Sequence, residues 1–297
     1  MCRVSVHSRP SEQPVCLCMY CPVAKLVHVL PEGQRVMGVA TFKDKIYVLR
    51  WKGRDHVEVY DAISFALQKP PCIDVPNLRG YSDMALCRHK ACLYIGDDVG
   101  ECVHRVQLNG AKMTQWAVYD IPAGLSITAH HSVLVTCKIV GKIKEFSCDG
   151  ELQRQLTLPH FINSPWHALQ LPSSGELVVC HGDVDERSNR VCKLTSDGHH
   201  LVQSDGECRG SRATEYSSPR HVAVDNNEFL LVVDQNNRRV KLLSPTLDYI
   251  RDVVTRESVK WQPLAVCLDA EKRRMYVTDC KVTQDQFSSG RVLVFSI

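Results

Sequence analysis

The stretch from Ser218 to Ser244 reads SPRHVAVDNNEFLLVVDQNNRRVKLLS, in which short apolar runs alternate with pairs of asparagine. The runs HVAVD (221–225) and FLLVVD (229–234) are rich in Val and Leu and have the length typical of β-strands. The segments DNNE and DQNNR have turn composition, because Asn and Asp bond their own backbone and tolerate the left-handed conformation. With RRVKLLS and YIRDVV (249–254), the stretch predicts a meander of four antiparallel strands.

Weaker copies of this strand order recur along the chain. The inner strands of the copies are marked by residues spaced roughly 40–55 apart: Gly38, Asp83, Ser126, His167, His221 and Ala265. Four strands in a period of about 40–45 residues indicate the blade of a β-propeller. We therefore predict an all-β fold, a six-bladed β-propeller of four-stranded antiparallel blades. A β-sandwich with irregular turns would not produce these copies in phase.

The two ends of the chain complement each other. The last copy stops at Ile297 after three strands, and the segment KLVHVLP (25–31) precedes the first copy. An N-terminal strand that completes the last blade would remove both open edges. We expect residues 1–24 to form a flexible leader and residues 25–297 to form a single, monomeric propeller domain.

Composition narrows the class of protein. The 297 residues are 44% hydrophobic, which is enough for a large core, and no apolar run is long enough to suggest a membrane span or a signal peptide. Many of the 15 cysteines lie inside apolar runs, as Cys137 and Cys180 do, so we expect reduced thiols and a cytoplasmic protein. A formal net charge of +3 is too small for a strong non-specific binder of nucleic acid.

The opening stretch carries a recognisable order of Pro, apolar strand, Asp, apolar strand, Asp, Asn, Arg and Val. The residues in that order are Pro219, Asp225, Asp234, Asn236 or Asn237, Arg238 and Val240. In this order the chain resembles the NHL-repeat propellers, including the propeller domain of TRIM-NHL proteins. The resemblance implies a six-bladed propeller that binds protein or RNA, in that group beside a RING ubiquitin-ligase module. Residues 1–36 are too few for such a module, so the chain would correspond to the substrate-binding part of a ligase.

These motif residues have a structural explanation. We expect Asp234 to accept backbone N–H bonds from the turn that follows it and Arg238 to reach back to Asp234. We expect the asparagine pair to adopt the left-handed conformation.

One face of the predicted propeller collects aromatic and basic residues. The loops that enter the inner strands and those between second and third strands share this face, because antiparallel strands alternate direction. The predicted binding residues are Trp51, Arg54, Trp166, His167, Arg220, His221, Arg239 and Trp261. Trp beside Arg is favoured at protein-binding hot spots and also suits stacked bases. We predict a non-catalytic module, without a cofactor, that binds a protein partner here. Single-stranded RNA is the alternative ligand, and tryptophans that only cover blade joints are the structural alternative.

A metal-dependent lyase or hydrolase at the channel mouth is the second alternative. His167 and His221 occupy equivalent positions, in SPWH and SPRH, and in this respect the chain is similar to the peptide-amidating lyases, propellers that hold zinc through histidines. A catalytic zinc requires three protein ligands, and the equivalent positions elsewhere offer Ser82 or Asp83, Met37 and Leu264 instead of histidine. We therefore assign no metal ligand and no catalytic residue.

Overall fold

The computed structural model describes residues 24–51, 56–110, 112–182, 188–206, 210–281 and 289–297. Within these ranges the chain forms strands and no helix, arranged as six antiparallel sheets. Each sheet contains one blade of four strands, and one sheet has a further short strand paired at its side, so the six-bladed β-propeller predicted from the sequence is confirmed. The described residues include no helix long and apolar enough to cross a membrane.

Two short strands, β1 (Lys25–Val29) and β2 (Gly33–Gln34), precede the blades. Blade 1 comprises β3 (Val36–Phe42), β4 (Lys45–Arg50), β5 (His56–Asp61) and β6 (Leu67–Asp74). Blade 2 comprises β7 (Met84–Cys87), β8 (Cys92–Asp97), β9 (Cys102–Gln107) and β10 (Met113–Ala117). Blade 3 comprises β11 (Pro122–Ile127), β12 (Val133–Cys137), β13 (Lys142–Phe146) and β14 (Leu152–Thr157).

Blade 4 comprises β15 (Pro165–Gln170), β16 (Leu177–His181), β17 (Arg190–Leu194) and β18 (Leu201–Asp205). Blade 5 comprises β19 (Pro219–Val224), β20 (Leu230–Asp234), β21 (Arg239–Leu243) and β22 (Tyr249–Val254). Blade 6 comprises β23 (Gln262–Asp269), β24 (Arg274–Cys280) and β25 (Ser289–Ser296). The first strand of each blade contacts the first strands of both neighbouring blades, so the inner strands form a closed ring around the channel.

The N-terminal strand completes the last blade, as predicted. Strand β1 pairs antiparallel with β25 and becomes the outer strand of blade 6, in the order β1-β25-β24-β23. The backbone N–H of Leu30 continues the ladder to the carbonyl of Val292 at 2.9 Å, and β2 pairs with the start of β25. The first and last blades are therefore joined by backbone hydrogen bonds. The predicted leader lies outside the described residues, apart from its last residue, Ala24.

The hydrophobic core lies between adjacent blades. The second strands β8, β12, β16 and β20 are buried along their whole length, since both faces of each are covered by neighbouring blades. Their nearly continuous apolar runs follow from this two-sided burial. Between blades 5 and 6, for example, Leu231, Val233 and Leu242 pack against Val277 and Phe295.

Three details predicted for blade 5 from the sequence are wrong. The left-handed residues are Glu228 and Arg238, which follow the asparagine pairs, with φ of 64° and 54°. Arg238 is exposed and does not bind Asp234, because the ladder places Arg239 opposite Asp234 instead. The ion pair joins Arg239 Nε to Asp234 Oδ2 at 2.8 Å. We also expected Asp234 to accept backbone N–H bonds from the turn that follows it. The backbone N–H that its carboxylate accepts belongs instead to Ser217, which precedes the inner strand β19.

Candidate functional site

A cavity of about 300 Å³ opens at one end of the central channel. Its wall is built from the segments that enter the inner strands and from turns between second and third strands, so it lies on the face that topology predicted. We call it the mouth cavity. Its lining residues are Arg35, Met37, Trp51, Tyr81, Ser82, Asp83, Asp98, Ile121, Ala123, Lys138, Trp166, His167, Arg220, His221, Leu264 and Ala265.

Trp166 is held in place by contacts of its ring and of its indole N–H. The Nζ of Lys138 and the Cζ of Arg220 each lie 3.3 Å from the centre of its ring. Both cationic groups are therefore in direct contact with the indole ring. The indole N–H also donates to the carbonyl of Gly182 at 3.0 Å. Cation–π contacts of this kind contribute about 0.5–2 kcal/mol each, so blades 3, 4 and 5 are tied together at the cavity.

The predicted binding residues separate into two groups. Trp51, Trp166, His167, Arg220 and His221 line the mouth cavity, as expected from their loops. Arg239 and Trp261 are not part of its lining, and Arg54 lies outside the described residues.

Arg239 is buried and holds a loop. Its Nε binds Asp234, and its terminal nitrogens donate to the carbonyls of Ser211, Arg212 and Glu215 at 2.8–3.2 Å. Those carbonyls belong to the segment that leads into β19. The structure thus places Arg239 beneath the loop of blade 5, where it orders the backbone.

Trp261 lies at the entrance to β23 and packs beside its own blade. Its backbone N–H donates to Asp279 Oδ1 at 2.8 Å, and its ring lies 4.7 Å from Lys260 Nζ and 5.2 Å from Arg291 Cζ. The ring of Trp261 thus contacts Lys260 and Arg291 nearby, and Trp261 does not line the mouth cavity.

Two further cations and an acid complete the wall of the mouth cavity. Lys138 follows β12 and is on the face that topology predicted, whereas no sequence pattern distinguishes Arg35, which precedes β3. Asp98 follows β8, and burial, followed by the nearby charge of Asp97, raises the pKa of its carboxyl.

Asp83 lies at the floor of the mouth cavity. Its carboxylate accepts backbone N–H bonds from Met84 at 2.8 Å and from Leu125 in blade 3 at 2.9 Å. Burial raises the pKa of Asp83 to about 7, even though these two N–H groups and the charge of Arg220 lower it. A carboxyl group of blade 2 therefore reaches across the channel and is fixed there by a neighbouring blade.

Two histidines meet Asp83 on the floor. Their rings lie 4.0 Å apart between centres, with His167 Nε2 3.7 Å from Asp83 Oδ2 and His221 Nε2 3.9 Å from Asp83 Oδ1. Burial lowers the pKa of His167 to about 4 and, with the proximity of His167, lowers that of His221 well below its usual value. Asp83 stands at an equivalent position in the sequence but was not expected to be a third ligand. The structure brings it to the two histidines, because side chains of different types from blades 2, 4 and 5 converge on the narrow channel axis.

The floor residues also face the other end of the channel. Asp83, His167 and His221 line a second cavity of about 360 Å³, which is otherwise formed largely by the apolar inner strands. The three side chains thus form a polar layer between the two openings of the channel.

An exposed apolar strip borders the mouth cavity. We define the apolar strip as Val99, Tyr119, Ile139 and Val140. Hydrogen bonds join its segments in order: the N–H of Val118 donates to the carbonyl of Glu101 at 2.8 Å, and that of Val140 approaches Asp120 Oδ2 at 3.4 Å. The loops of blades 2 and 3 that carry the strip are therefore joined to one another.

Comparisons with known proteins support the fold alone. No family model and no curated protein matches the chain. A solved structure of a Bacteroides thetaiotaomicron protein of unknown function is 14% identical, with a TM-score of 0.65 over 88% of this chain and 70% of that one. A catalytically inactive variant of Staphylococcus aureus virginiamycin B lyase, solved with quinupristin, is 10% identical, with a TM-score of 0.61 over 92% and 98%. The Cps50 (Swd1) propeller domain of Myceliophteria thermophila is 12% identical, with a TM-score of 0.56 over 92% and 99%. The chain is a six-bladed β-propeller whose solved structural neighbours differ widely in function.

Proposed function

We propose that this propeller is a recognition module that binds a protein partner through the mouth cavity and the adjoining apolar strip. The observation that carries the proposal is the position of the strip: its residues are neighbours in sequence of cavity-lining residues. Val99 follows Asp98, Tyr119 lies two residues before Ile121, and Ile139 and Val140 follow Lys138. Exposed apolar groups that adjoin a polar, cation-bearing pocket are typical of protein interfaces.

The apolar strip favours a protein over single-stranded RNA. Proteins that bind single strands stack bases on accessible aromatic rings and follow the backbone with basic residues. Lys138 and Arg220 both lie against the Trp166 ring, so a base would have to displace a cation that already contacts this ring in order to stack there. Aliphatic residues such as Ile139 and Val140 offer no stacking surface, but they pack well against apolar side chains of a protein.

A matched pair of isoleucines tests the proposal. Ile139 of the apolar strip and Ile63, in the β5–β6 turn at the opposite end of the propeller, are each 68% exposed. We replace Tyr119 by a photo-crosslinking phenylalanine analogue, irradiate the chain in extract of its source cells, and identify the adduct. The captured protein is then purified, and its affinity is measured for the unlabelled chain and for the Ile139→Asp and Ile63→Asp variants.

We expect a protein adduct and direct binding that Ile139→Asp weakens by at least tenfold, the loss of about 1.4 kcal/mol, whereas Ile63→Asp leaves it unchanged. Both variants should keep the wild-type melting temperature, because exposed substitutions change stability by only about 0.5 kcal/mol. An adduct that ribonuclease removes would support the RNA alternative and overturn the proposal. Equal weakening by both variants would also contradict it.

A further inference from the structure

The polar layer in the channel has an arrangement that hydrogen bonding does not explain. The separations of 3.7 Å and 3.9 Å between the imidazole nitrogens and the Asp83 oxygens are too long for hydrogen bonds. Buried polar groups are nearly always hydrogen-bonded, so a carboxylate and two imidazoles that lie this close without bonding one another require another explanation.

The separations fit the spacing of ligands around one metal ion. Each residue offers a ligand atom, and these atoms all lie within 4.8 Å of one another. Ligand atoms about 2.0–2.2 Å from a tetrahedral ion are roughly 3.3–3.6 Å apart, so small side-chain movements would bring all three onto one ion. Two imidazoles and a carboxylate are a donor set suited to divalent zinc, iron or cobalt.

We propose that Asp83, His167 and His221 form a site for a divalent transition-metal ion at the floor of the mouth cavity. The ligand atoms are Nε2 of each histidine and a carboxylate oxygen of Asp83. His167 Nε2 lies 3.0 Å from the carbonyl oxygen of Leu125, so this nitrogen carries a proton in the metal-free protein. Metal binding at Nε2 requires the other neutral tautomer of the ring, so this proton moves to Nδ1 of His167, and the Leu125 carbonyl is left beside the ion as a further oxygen ligand.

The surroundings are suited to holding such an ion in place. The N–H groups of Met84 and Leu125 fix the orientation of the Asp83 carboxylate, as supporting hydrogen bonds do for ligands in metal sites. The cavities on either side provide an entry path and leave room for water or an external ligand on the ion. The positions of ligands on three different blades also mean that the ion would tie blades 2, 4 and 5 together.

A second cluster with similar residue types does not share these features. Asp97, Cys102 and His104 are also close together, but the carboxylate and the thiol both approach the same nitrogen, His104 Nε2, at 3.2 Å and 3.5 Å. The Asp97 carboxylate already accepts backbone N–H bonds from residues 79, 80 and 100. This cluster is satisfied by hydrogen bonds, and it serves as an internal control.

Cobalt(II) titration of the full-length, metal-stripped chain tests the proposal. Cobalt reports its ligands through its visible spectrum, and thiolate ligands add an intense charge-transfer band that nitrogen and oxygen ligands lack. We expect binding with a d–d band and no thiolate band, competed by zinc. His221→Gln and Asp83→Asn should each weaken this binding at least tenfold. His104→Gln and His181→Gln, which change buried histidines outside the layer, should leave it intact.

Circular dichroism and melting of each metal-free variant establish that it is folded. A spectrum dominated by thiolate ligation would assign the metal to the cysteines instead and overturn the proposal. Undiminished cobalt binding in a folded His221→Gln variant would do the same. If Asp83→Asn does not fold, His221→Gln decides alone, because the side chain of His221 makes fewer contacts that hold the fold.

Discussion

Blades 1 and 5 hold opposite charges at the same position of their second strand. In blade 5 the last residue of β20 is Asp234, opposite Pro219 at the start of the inner strand, and in blade 1 the last residue of β4 is Arg50, opposite Val36. Asp234 pairs with Arg239 at 2.8 Å, and Arg50 pairs with Glu58 at 2.7 Å. Both Asp234 and Arg50 are buried.

The opposite charges follow from the backbone groups that each residue binds. Asp234 accepts the backbone N–H of Ser217 and so orders the loop that enters its own inner strand. Arg50 instead donates to the carbonyls of Pro31, Gln34 and Gly290, which belong to the N-terminal closing segment and to blade 6. In these two blades a buried charged side chain at this position thus binds nearby backbone groups, and the kind of backbone group that faces it decides the sign of the charge.

Removal of the closing segment should have the largest effect. A chain that begins after Pro31 lacks β1 and one acceptor of Arg50, and it exposes the edge of β25. Exposed edge strands pair with other chains, so we expect loss of the folded monomer and aggregation, measured by light scattering after size-exclusion chromatography. A chain that lacks only residues 2–14 is the control. An unchanged, monomeric melting transition of the shorter chain would contradict the role of the closing segment.

Replacement of either buried charged residue, Arg50 or Asp234, should cause the next largest loss of stability. Asp234→Ala leaves the buried Arg239 uncompensated, and Arg50→Met leaves three backbone carbonyls and Glu58 without their donor, so each costs about 3–5 kcal/mol. Urea unfolding measures both losses. Arg50 holds the N-terminal closing segment, whereas Asp234 holds the loop that enters β19. Limited proteolysis should therefore cut the Arg50→Met variant first near residues 31–34 and the Asp234→Ala variant first near residues 211–217. Cleavage at the same place in both variants would show that the ties do not have separate roles.

Blade 4 carries a third type of side chain at this position, and its effect depends on pH. His181 ends β16, and burial, followed by the charge of Arg190, lowers its pKa to about 4, although the Asn163 backbone raises it. Between pH 6.5 and about 4 the unfolded chain binds a proton at His181 that the folded chain does not. Stability should therefore fall as pH decreases through this window, with His181 contributing up to about 3 kcal/mol.

The His181→Gln variant isolates this contribution. Its baseline stability will change because the contact of Nε2 with Cys192 Sγ at 3.2 Å is altered, so the slope against pH is the informative quantity. Urea unfolding at several pH values between 7 and 4 should give a shallower decline in the variant. Parallel curves for the two proteins would mean that His181 is not kept neutral by burial.

The sequence predicted the fold well because a propeller repeats one pattern. Val- and Leu-rich runs, asparagine turns and the phase of the copies were enough for six blades and for closure by an N-terminal strand. The polar tie of blade 1 was not predictable, because Arg50 meets Gly290, which is remote in sequence. The floor of the mouth cavity was missed for a related reason. At equivalent positions in the repeats we looked for a third histidine. In the folded channel, however, Asp83 approaches His167 and His221 although it is a different type of residue.

The smallest loss of stability is expected when the carboxylate paired with Arg50 loses its charge. Glu58→Gln keeps the shape of the side chain, and Glu58 is 21% exposed, so water can replace part of its interaction with Arg50. Arg50 also retains its three carbonyl acceptors, so we expect a loss of about 1 kcal/mol, the size of a partly exposed ion pair. Asp234→Asn is the matched change in blade 5. It removes the charge from a carboxylate that has no exposed surface, and Arg239 loses a fully buried partner. Urea unfolding of the two variants should therefore show a clearly smaller loss for Glu58→Gln. Equal losses would mean that the ion pair itself, rather than the carbonyls around Arg50, holds blade 1 to the closing segment.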